Sequence, residues 1–347
     1  MSLNGVDMNI KKFTILITIG LAFANLFAQT SKVGTTAGTF LEIGPGSVAT
    51  GMGGAFVSVA NDATALYWNP AGIANLTANE VTIFHANWIA STNFDYAALV
   101  IPLGGMGNIG LSFTSLSMAD EMVRTVDQPE GTGEYYSAGD IAVGLSYARS
   151  LTDRFSIGFT AKYIQESIWH ESASAVAIDA GTTFRTDLFN GLVIGATISN
   201  FGTQMKLGGS DIRTFGRVNS AILGSNDQIP YNIELDSWDL PFIFQIGVST
   251  HIVKNEDYSL LVAVDALHPN DNYESMNVGG EFSFRNYVFI RGGYKNLFLK
   301  DSEGGLSLGI GINSKLLFTD DFVSFDYAYR NFGRLTNIQT LSVDIKF

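Results

Sequence analysis

From residue 80 onward the chain alternates apolar and polar positions with a period of two. In Asn337–Phe347, Leu341, Val343, Ile345 and Phe347 fall on one side and Ser342, Asp344 and Lys346 on the other, as in a strand with one apolar and one polar face. Phe155, Ile157, Phe159, Ala161 and Tyr163 oppose Ser156, Gly158, Thr160 and Lys162 in the same way. So do Val323, Phe325, Tyr327 and Tyr329 against Ser324, Asp326, Ala328 and Arg330, and Tyr258, Leu260, Val262, Val264 and Ala266 against Ser259, Ala263 and Asp265. The pattern predicts about fourteen strands, at 81–89, 94–102, 107–117, 138–149, 154–167, 174–185, 191–199, 242–251, 258–267, 274–284, 287–296, 305–315, 321–331 and 337–347. The first two alternate least cleanly.

The connections sort by length. Every second one is short: Leu103–Met106, Ser150–Asp153, Thr186–Asn190, Ile252–Asp257, Asn286 and Leu316–Asp320. The alternate set includes the two longest, Met118–Ser137 and Asn200–Pro241. Short turns at one end and longer loops at the other are expected of a membrane barrel with periplasmic turns and external loops. An even strand number closes an antiparallel sheet without edges, the condition for spanning lipid. The predicted fold is therefore all-β: a transmembrane antiparallel β-barrel of about fourteen strands, in a bacterial outer membrane.

Residues 33–79 break the alternation and are rich in small side chains. The sequence predicts short helices over Ala49–Ala60 and Ala63–Tyr67, the second ending before Asn69-Pro70, in a compact plug of residues 29–79 ahead of a barrel over 80–347. At the start, Lys11 and Lys12 precede the apolar run Phe13–Ala28 and then polar Gln29–Lys32, which reads as a secretory signal peptide over 1–28. Either Met1 or Met8 serves as the start.

Composition fits this reading. Only 15% of the 347 residues are charged while 12% are aromatic, with 37 glycines, 25 phenylalanines and 7 prolines. No run after the leader reaches the roughly 20 apolar residues of a spanning helix. A formal net charge of -13 argues against nucleic acid as a partner, since phosphate binding needs clustered Lys and Arg. The absence of cysteine removes disulfides and thiolate metal sites.

With apolar faces toward lipid, Trp88, Tyr147, Tyr163, Phe184, Phe284, Tyr294, Phe322, Tyr329 and Phe347 become candidates for aromatic girdles. The opposite faces predict a polar lumen carrying Lys162, Asp179, Asp265, Glu281, Arg291, Asp326 and Asp344. A tight turn at Asn286 sets Glu281 opposite Arg291 as a cross-strand ion pair.

The segment Ile43-Gly44-Pro45-Gly46, Gly51-Met52-Gly53-Gly54-Ala55-Phe56-Val57, Asn61-Asp62-Ala63 and Leu66-Tyr67-Trp68-Asn69-Pro70-Ala71-Gly72, with Leu240-Pro241-Phe242 further on, resembles the PorV/PorQ family, a branch of the FadL-type outer-membrane proteins. The resemblance implies an N-terminal hatch folded inside the barrel, its motif being Gly51, Gly53, Gly54, Asn69, Pro70 and Ala71. It also implies one of two functions. One is binding or shuttling of secreted cargo proteins in type IX secretion, in association with a large translocon subunit. The other is FadL-like passage of long-chain fatty acids or other hydrophobic small molecules. Met205, Leu207, Ile222 and Leu223 mark a candidate external binding loop, suited to either an apolar ligand or a protein.

Residue types alone read Gly51, Gly53 and Gly54 as sites of close packing and positive φ, and Asn69-Pro70 as a helix stop and bend. No Lys follows the glycines and no strand precedes them, so they are not a phosphate loop. The histidines His85, His170, His251 and His268 sit in no nucleophile motif, and the acidic Asp301, Glu303 and His268–Glu274 stretches read as solvated loops. The sequence thus points to no enzyme, no cofactor and no metal site, and to outer-membrane lipid as the surrounding partner.

Overall fold

The structure, a computed structural model, describes residues 33–217, 226–315 and 322–347. The expected signal peptide, the Leu316–Asp320 turn, and Ile222 and Leu223 lie outside the described residues.

Fourteen antiparallel strands form one closed sheet: β1 Glu80–Asn87, β2 Asn93–Pro102, β3 Asn108–Ser117, β4 Ala138–Ser150, β5 Phe155–Ile168, β6 Glu171–Arg185, β7 Val193–Gly202, β8 Ile243–Lys254, β9 Tyr258–Pro269, β10 Ser275–Phe284, β11 Val288–Leu297, β12 Leu306–Lys315, β13 Phe322–Asn331 and β14 Asn337–Lys346. Each pairs with its neighbours in sequence, and β14 returns to β1 with Lys346 opposite Glu80 and Gln339 opposite Asn87. Phe347 and Asn79 extend this seam by exchanging two backbone hydrogen bonds of 3.0 Å. A two-residue piece, Gly208–Gly209, adds to the loop end of β6.

The outward positions are apolar through the middle of the wall. Ile83, Leu111, Phe113, Leu145, Phe159, Ile178, Ile246, Ile290, Ile310, Phe325 and Leu341 are all exposed, which in water would be an aggregation hazard and in lipid is a solvent-matched belt. Tyr147, Phe184, Tyr258, Phe284, Phe322 and Phe347 are exposed toward the turn end, and Tyr163, Trp169, Tyr273 and Tyr294 toward the loop end. Trp88 departs from its predicted place. It follows the last residue of β1, where the chain bends into the turn Ile89–Ser91, and its ring packs inward on Phe332 at 5.6 Å and under Arg330 at 5.2 Å.

Loop sorting is partial. The two long connections do lie at one end, but that end also holds short links, of which Trp169–His170 between β5 and β6 is the tightest. At the other end, the three-residue connection Arg285–Tyr287 turns with both Arg285 and Asn286 at positive φ, closed by Tyr287 N donating to Phe284 O at 3.0 Å.

Residues 34–79 line the inside of the wall. The predicted Ala49–Ala60 helix shrinks to α1, Ser47–Gly51, because Gly53 and Gly54 take φ of 64° and 77° and end it. A second turn, α2 (Ala65–Trp68), stops at Asn69, which is extended, and a 3-10 helix begins at once with Pro70–Asn75. Asn69 caps that helix through its side chain, and Pro70 fills the first helical position, where no N–H is required.

What lets this segment approach the wall is a set of inward-facing wall glycines that sequence reasoning missed. A Cβ at Gly158 would lie 2.4 Å from the Pro70 carbonyl carbon, one at Gly181 2.2 Å from Asn69 Oδ1, one at Gly195 2.5 Å from Val57 O, and one at Gly293 2.3 Å from the Met52 carbonyl carbon. Gly279 and Gly309 abut Met52 and Gly51 in the same way. The signal was available: each occupies the polar-face parity of its strand, where a polar residue was expected. Gly158→Ala is expected to cost about 1–3 kcal/mol through overpacking. Urea unfolding in lipid vesicles, followed by tryptophan fluorescence, checks it.

Candidate functional site

The candidate site is the lumen, as occupied by residues 34–79. Wall side chains grip this segment mainly through its backbone. Asp265 on β9 is 1% exposed, and its Oδ2 accepts from Phe56 N at 2.7 Å and Val57 N at 2.9 Å. Asn277 Nδ2 on β10 donates to Gly54 O at 3.1 Å, and Asn108 Nδ2 on β3 donates to Leu76 O at 2.8 Å. Glu80 Oε1 accepts from Ala63 N at 3.1 Å. At the seam, Ser342 Oγ accepts from Ser47 N at 3.0 Å.

The hatch-motif residues fall at these contacts. Asn69 Nδ2 donates to Val57 O at 2.9 Å and to Thr182 O on β6 at 3.0 Å, while its Oδ1 accepts from Ala71 N at 3.1 Å. Asn69, Pro70 and Ala71 are buried. A Cβ on Gly53 would sit 2.5 Å from Tyr294 N, and Gly51 meets the Gly309 backbone across the lumen wall.

Burying backbone amides against side-chain acceptors satisfies groups that neither helix nor sheet ladder serves. The segment also buries apolar surface. Phe56 and Trp68 meet edge to face at 6.0 Å, and Phe40, Leu41, Leu66 and Ile73 join Phe84, Phe94, Tyr96, Val100, Ile164 and Ile338 of the inner wall in one buried cluster. The predicted polar lumen is thus only half right. Along β1, β2 and parts of β5 and β14 the inner face is apolar because it packs on the hatch, which is why those first strands alternate poorly.

Elsewhere the lumen is charged and paired. Glu281 and Arg291 stand opposite across β10 and β11, with Arg291 Nε 2.6 Å from Glu281 Oε2. Arg291 Nη1 reaches Asp326 Oδ1 on β13 at 2.5 Å, and Ser324 Oγ donates to Asp326 Oδ2 at 2.7 Å. On the other side of the barrel, Lys162 lies 2.8 Å from Asp179 and also donates to Asn200. Thr82 donates to Asp344.

The external-loop candidates separate. Met205 is 1% exposed and pairs in an antiparallel bridge with Trp238, so it anchors the long connection and presents no docking surface. Leu207 remains exposed. The surface apolar residues of this connection are instead Phe215, Tyr231, Ile233 and Trp238, carried partly by a small ladder of Arg213–Gly216 with Ile229–Asn232.

Toward the loop end, the 3-10 turn Thr39–Glu42 places Glu42 among Asp271 and Lys295. Burial first, and the charge of Asp271 second, push the Glu42 carboxyl up to about 7, with Lys295 opposing. A carboxyl whose folded-state pKa lies above its unfolded value binds its proton more tightly when folded, so stability is lost as pH rises. Seating of this turn is expected to weaken between pH 5 and 8, and Glu42→Gln to flatten that loss. Amide hydrogen exchange of residues 38–46 at three pH values checks it.

Two cavities open at the turn end. One, of about 380 Å³, is lined by Asp62, Glu80, Glu281, Asp326 and Asp344 with Arg291 and Lys346. The other, of about 570 Å³, is lined by nine hydroxyl and amide side chains, by apolar ones including Val59, Val193 and Leu261, and by Arg185, His251, Lys254 and Glu281. Among the described residues no group of three His, Cys, Asp or Glu is placed to hold a metal.

Comparison with known proteins gives a fold likeness and a partial family match. The model of an uncharacterised protein family (UPF0164) matches residues 19–167. No curated protein matches the chain. A FadL homologue of Pseudomonas aeruginosa is similar in structure at a TM-score of 0.51 and 11% identity, over 87% of this chain and 97% of its own. The toluene transporter TbuX of Ralstonia pickettii gives 0.53 and 12% over 87% and 97%, and the monoaromatic hydrocarbon channel CymD gives 0.52 and 13% over 88% and 97%. At such identities what is shared is the barrel architecture.

Proposed function

We propose that this protein is a bacterial outer-membrane barrel that passes small apolar molecules, its N-terminal hatch controlling the path. The observation that carries this reading is the inner wall: Phe84, Phe94, Tyr96, Val100, Ile164 and Ile338 face inward and are buried against the hatch, where a water-filled porin would be polar. If the hatch shifts, an apolar strip of wall becomes available to an apolar solute. The similar barrels that carry toluene or monoaromatic hydrocarbons support the choice of solute class, and long-chain fatty acids belong to the same chemistry. The work done is positioning and gating, with no covalent step.

Uptake by proteoliposomes tests this. Vesicles holding the protein are expected to take up labelled toluene or a long-chain fatty acid faster than protein-free vesicles at equal lipid. Equal rates for both solutes would end the reading.

A second reading, docking of secreted cargo or of a translocon subunit as in PorV/PorQ-type proteins, is favoured by Phe215, Tyr231, Ile233 and Trp238, which expose apolar surface at the loop end beyond the membrane belt. Mild extraction from the native membrane followed by mass spectrometry separates the two. A stoichiometric large membrane protein, or secreted proteins sharing one terminal domain, supports docking. Bound apolar molecules without protein support passage.

A further inference from the structure

The cavity of about 570 Å³ at the turn end gathers hydroxyl and amide side chains beside apolar ones such as Val59, Val193, Leu261 and Phe289. Thr183, Ser249, Ser259, Ser283, Asn190 and Asn286 converge on it from four strands and two turns. The hatch contributes Ser58, Asn61 and Asn75. Hydroxyls and amides each offer both donors and acceptors, so this lining complements a solute that is itself rich in hydroxyls. Ser58 is 7% exposed, and its Oγ has no hydrogen-bond partner among the described residues.

One aromatic face completes the chamber. Phe289 projects inward at the start of β11, and the Arg291 guanidinium stands 5.1 Å from its ring centroid. Phe289, Val48, Asn61 and Glu281 line both turn-end cavities, so they form the partition between the hydroxyl-rich chamber and the acidic one. The volume falls within the roughly 300–1,000 Å³ of small-molecule sites and suits one or two sugar rings. Arg185, His251 and Lys254 give the chamber a basic side, whereas its acidic neighbour would repel an anion.

We infer that this chamber is a binding site for a polyhydroxylated solute of mono- to disaccharide size, entered from the turn end and separate from the apolar strip of β1, β2, β5 and β14. The ring hydroxyls exchange hydrogen bonds with the serine, threonine and asparagine side chains, and an apolar sugar face lies on Phe289. This function is distinct from hydrocarbon passage, since the chamber's wall residues lie on β6 to β11 and in the turns between them, whereas the apolar strip lies on β1, β2, β5 and β14.

The experiment is calorimetric titration of the full barrel, in detergent, with maltose, trehalose and glucose. At least one is expected to bind saturably with millimolar affinity, and Phe289→Ala to weaken it roughly tenfold, a loss of about 1.4 kcal/mol. Ser283→Leu, which removes a hydroxyl on a different strand, is expected to weaken it as well. Heat-modifiable gel mobility reports that each variant still forms the barrel, and Ser172→Ala, far from the chamber, should bind like wild type. No saturable binding of any of the three sugars would overturn the proposal, as would binding that both chamber variants leave unchanged. The proteoliposome uptake of toluene stands or falls separately in the same preparation, so loss of one result does not decide the other.

Discussion

Asp265→Ala is expected to unseat the hatch while leaving the barrel closed. The substitution removes one carboxylate oxygen that holds two backbone amides, those of Phe56 and Val57, at a site 1% exposed. Each buried donor left without a partner costs about 1–3 kcal/mol, so the hatch loses about 2–6 kcal/mol of seating at one point. Asp265 stands next to Gly247, whose missing Cβ makes room for the carboxylate. Planar-bilayer recording is expected to show larger and more frequent openings than wild type. Proteolysis should cut within residues 47–68 of the variant and spare the wild type. Asp265→Asn retains an acceptor oxygen and should fall between them. Wild-type conductance and protease resistance in Asp265→Ala would show that the other anchors suffice.

The second large effect is expected from Arg291. Its guanidinium is 4% exposed and bridges Glu281 and Asp326, themselves 19% and 1% exposed. Removing the cation from such a triad strands two carboxylates, and breaking a buried pair in this way costs about 3–5 kcal/mol. Arg291→Met should therefore lower barrel stability by that order, and Arg291→Lys should recover only part of it, since one ammonium cannot match the fork that serves both acids. The triple replacement of Arg291 by Met, Glu281 by Gln and Asp326 by Asn should recover most of the loss. Reversible urea unfolding in lipid vesicles measures all three, and a triple variant as unstable as Arg291→Met would show that the charges themselves, and not their imbalance, stabilise the wall.

How much of this was legible in the sequence follows from the physics of each part. Strand alternation reports burial on one face and lipid on the other, so Leu341, Val343 and Ile345 declared their side without ambiguity, as did the opposition of Glu281 and Arg291 once the Asn286 turn was placed. Alternation fails where both faces are apolar. Phe84, Phe94 and Tyr96 face a packed hatch, and their strands therefore resemble noise at period two. Trp88 misled for the same reason: it shares the inward parity of Phe84 and Ala86, on a face that is apolar because it packs inside the barrel. The wall glycines were visible as inward-parity positions lacking a polar side chain, but which backbone they admit depends on contacts between distant parts of the chain, such as Gly293 with Met52. Met205 was read as surface because its neighbours are loop-like, and its burial rests on a bridge to Trp238 that no local pattern encodes.

The seam between β1 and β14 carries a consequence for the order of assembly. It joins the first strand after the hatch to the last strand of the chain, so the cylinder stays open until the final residues pair. Ser47 and Ala63 bind groups at that very seam, and α1 and Pro70–Asn75 lie against wall glycines. Seating of the hatch before the last strand docks is therefore the expected order. The hatch is then less a stopper pushed into a finished tube than the mandrel around which the tube is wrapped, and a barrel folded without it would have to be rebuilt, not refilled.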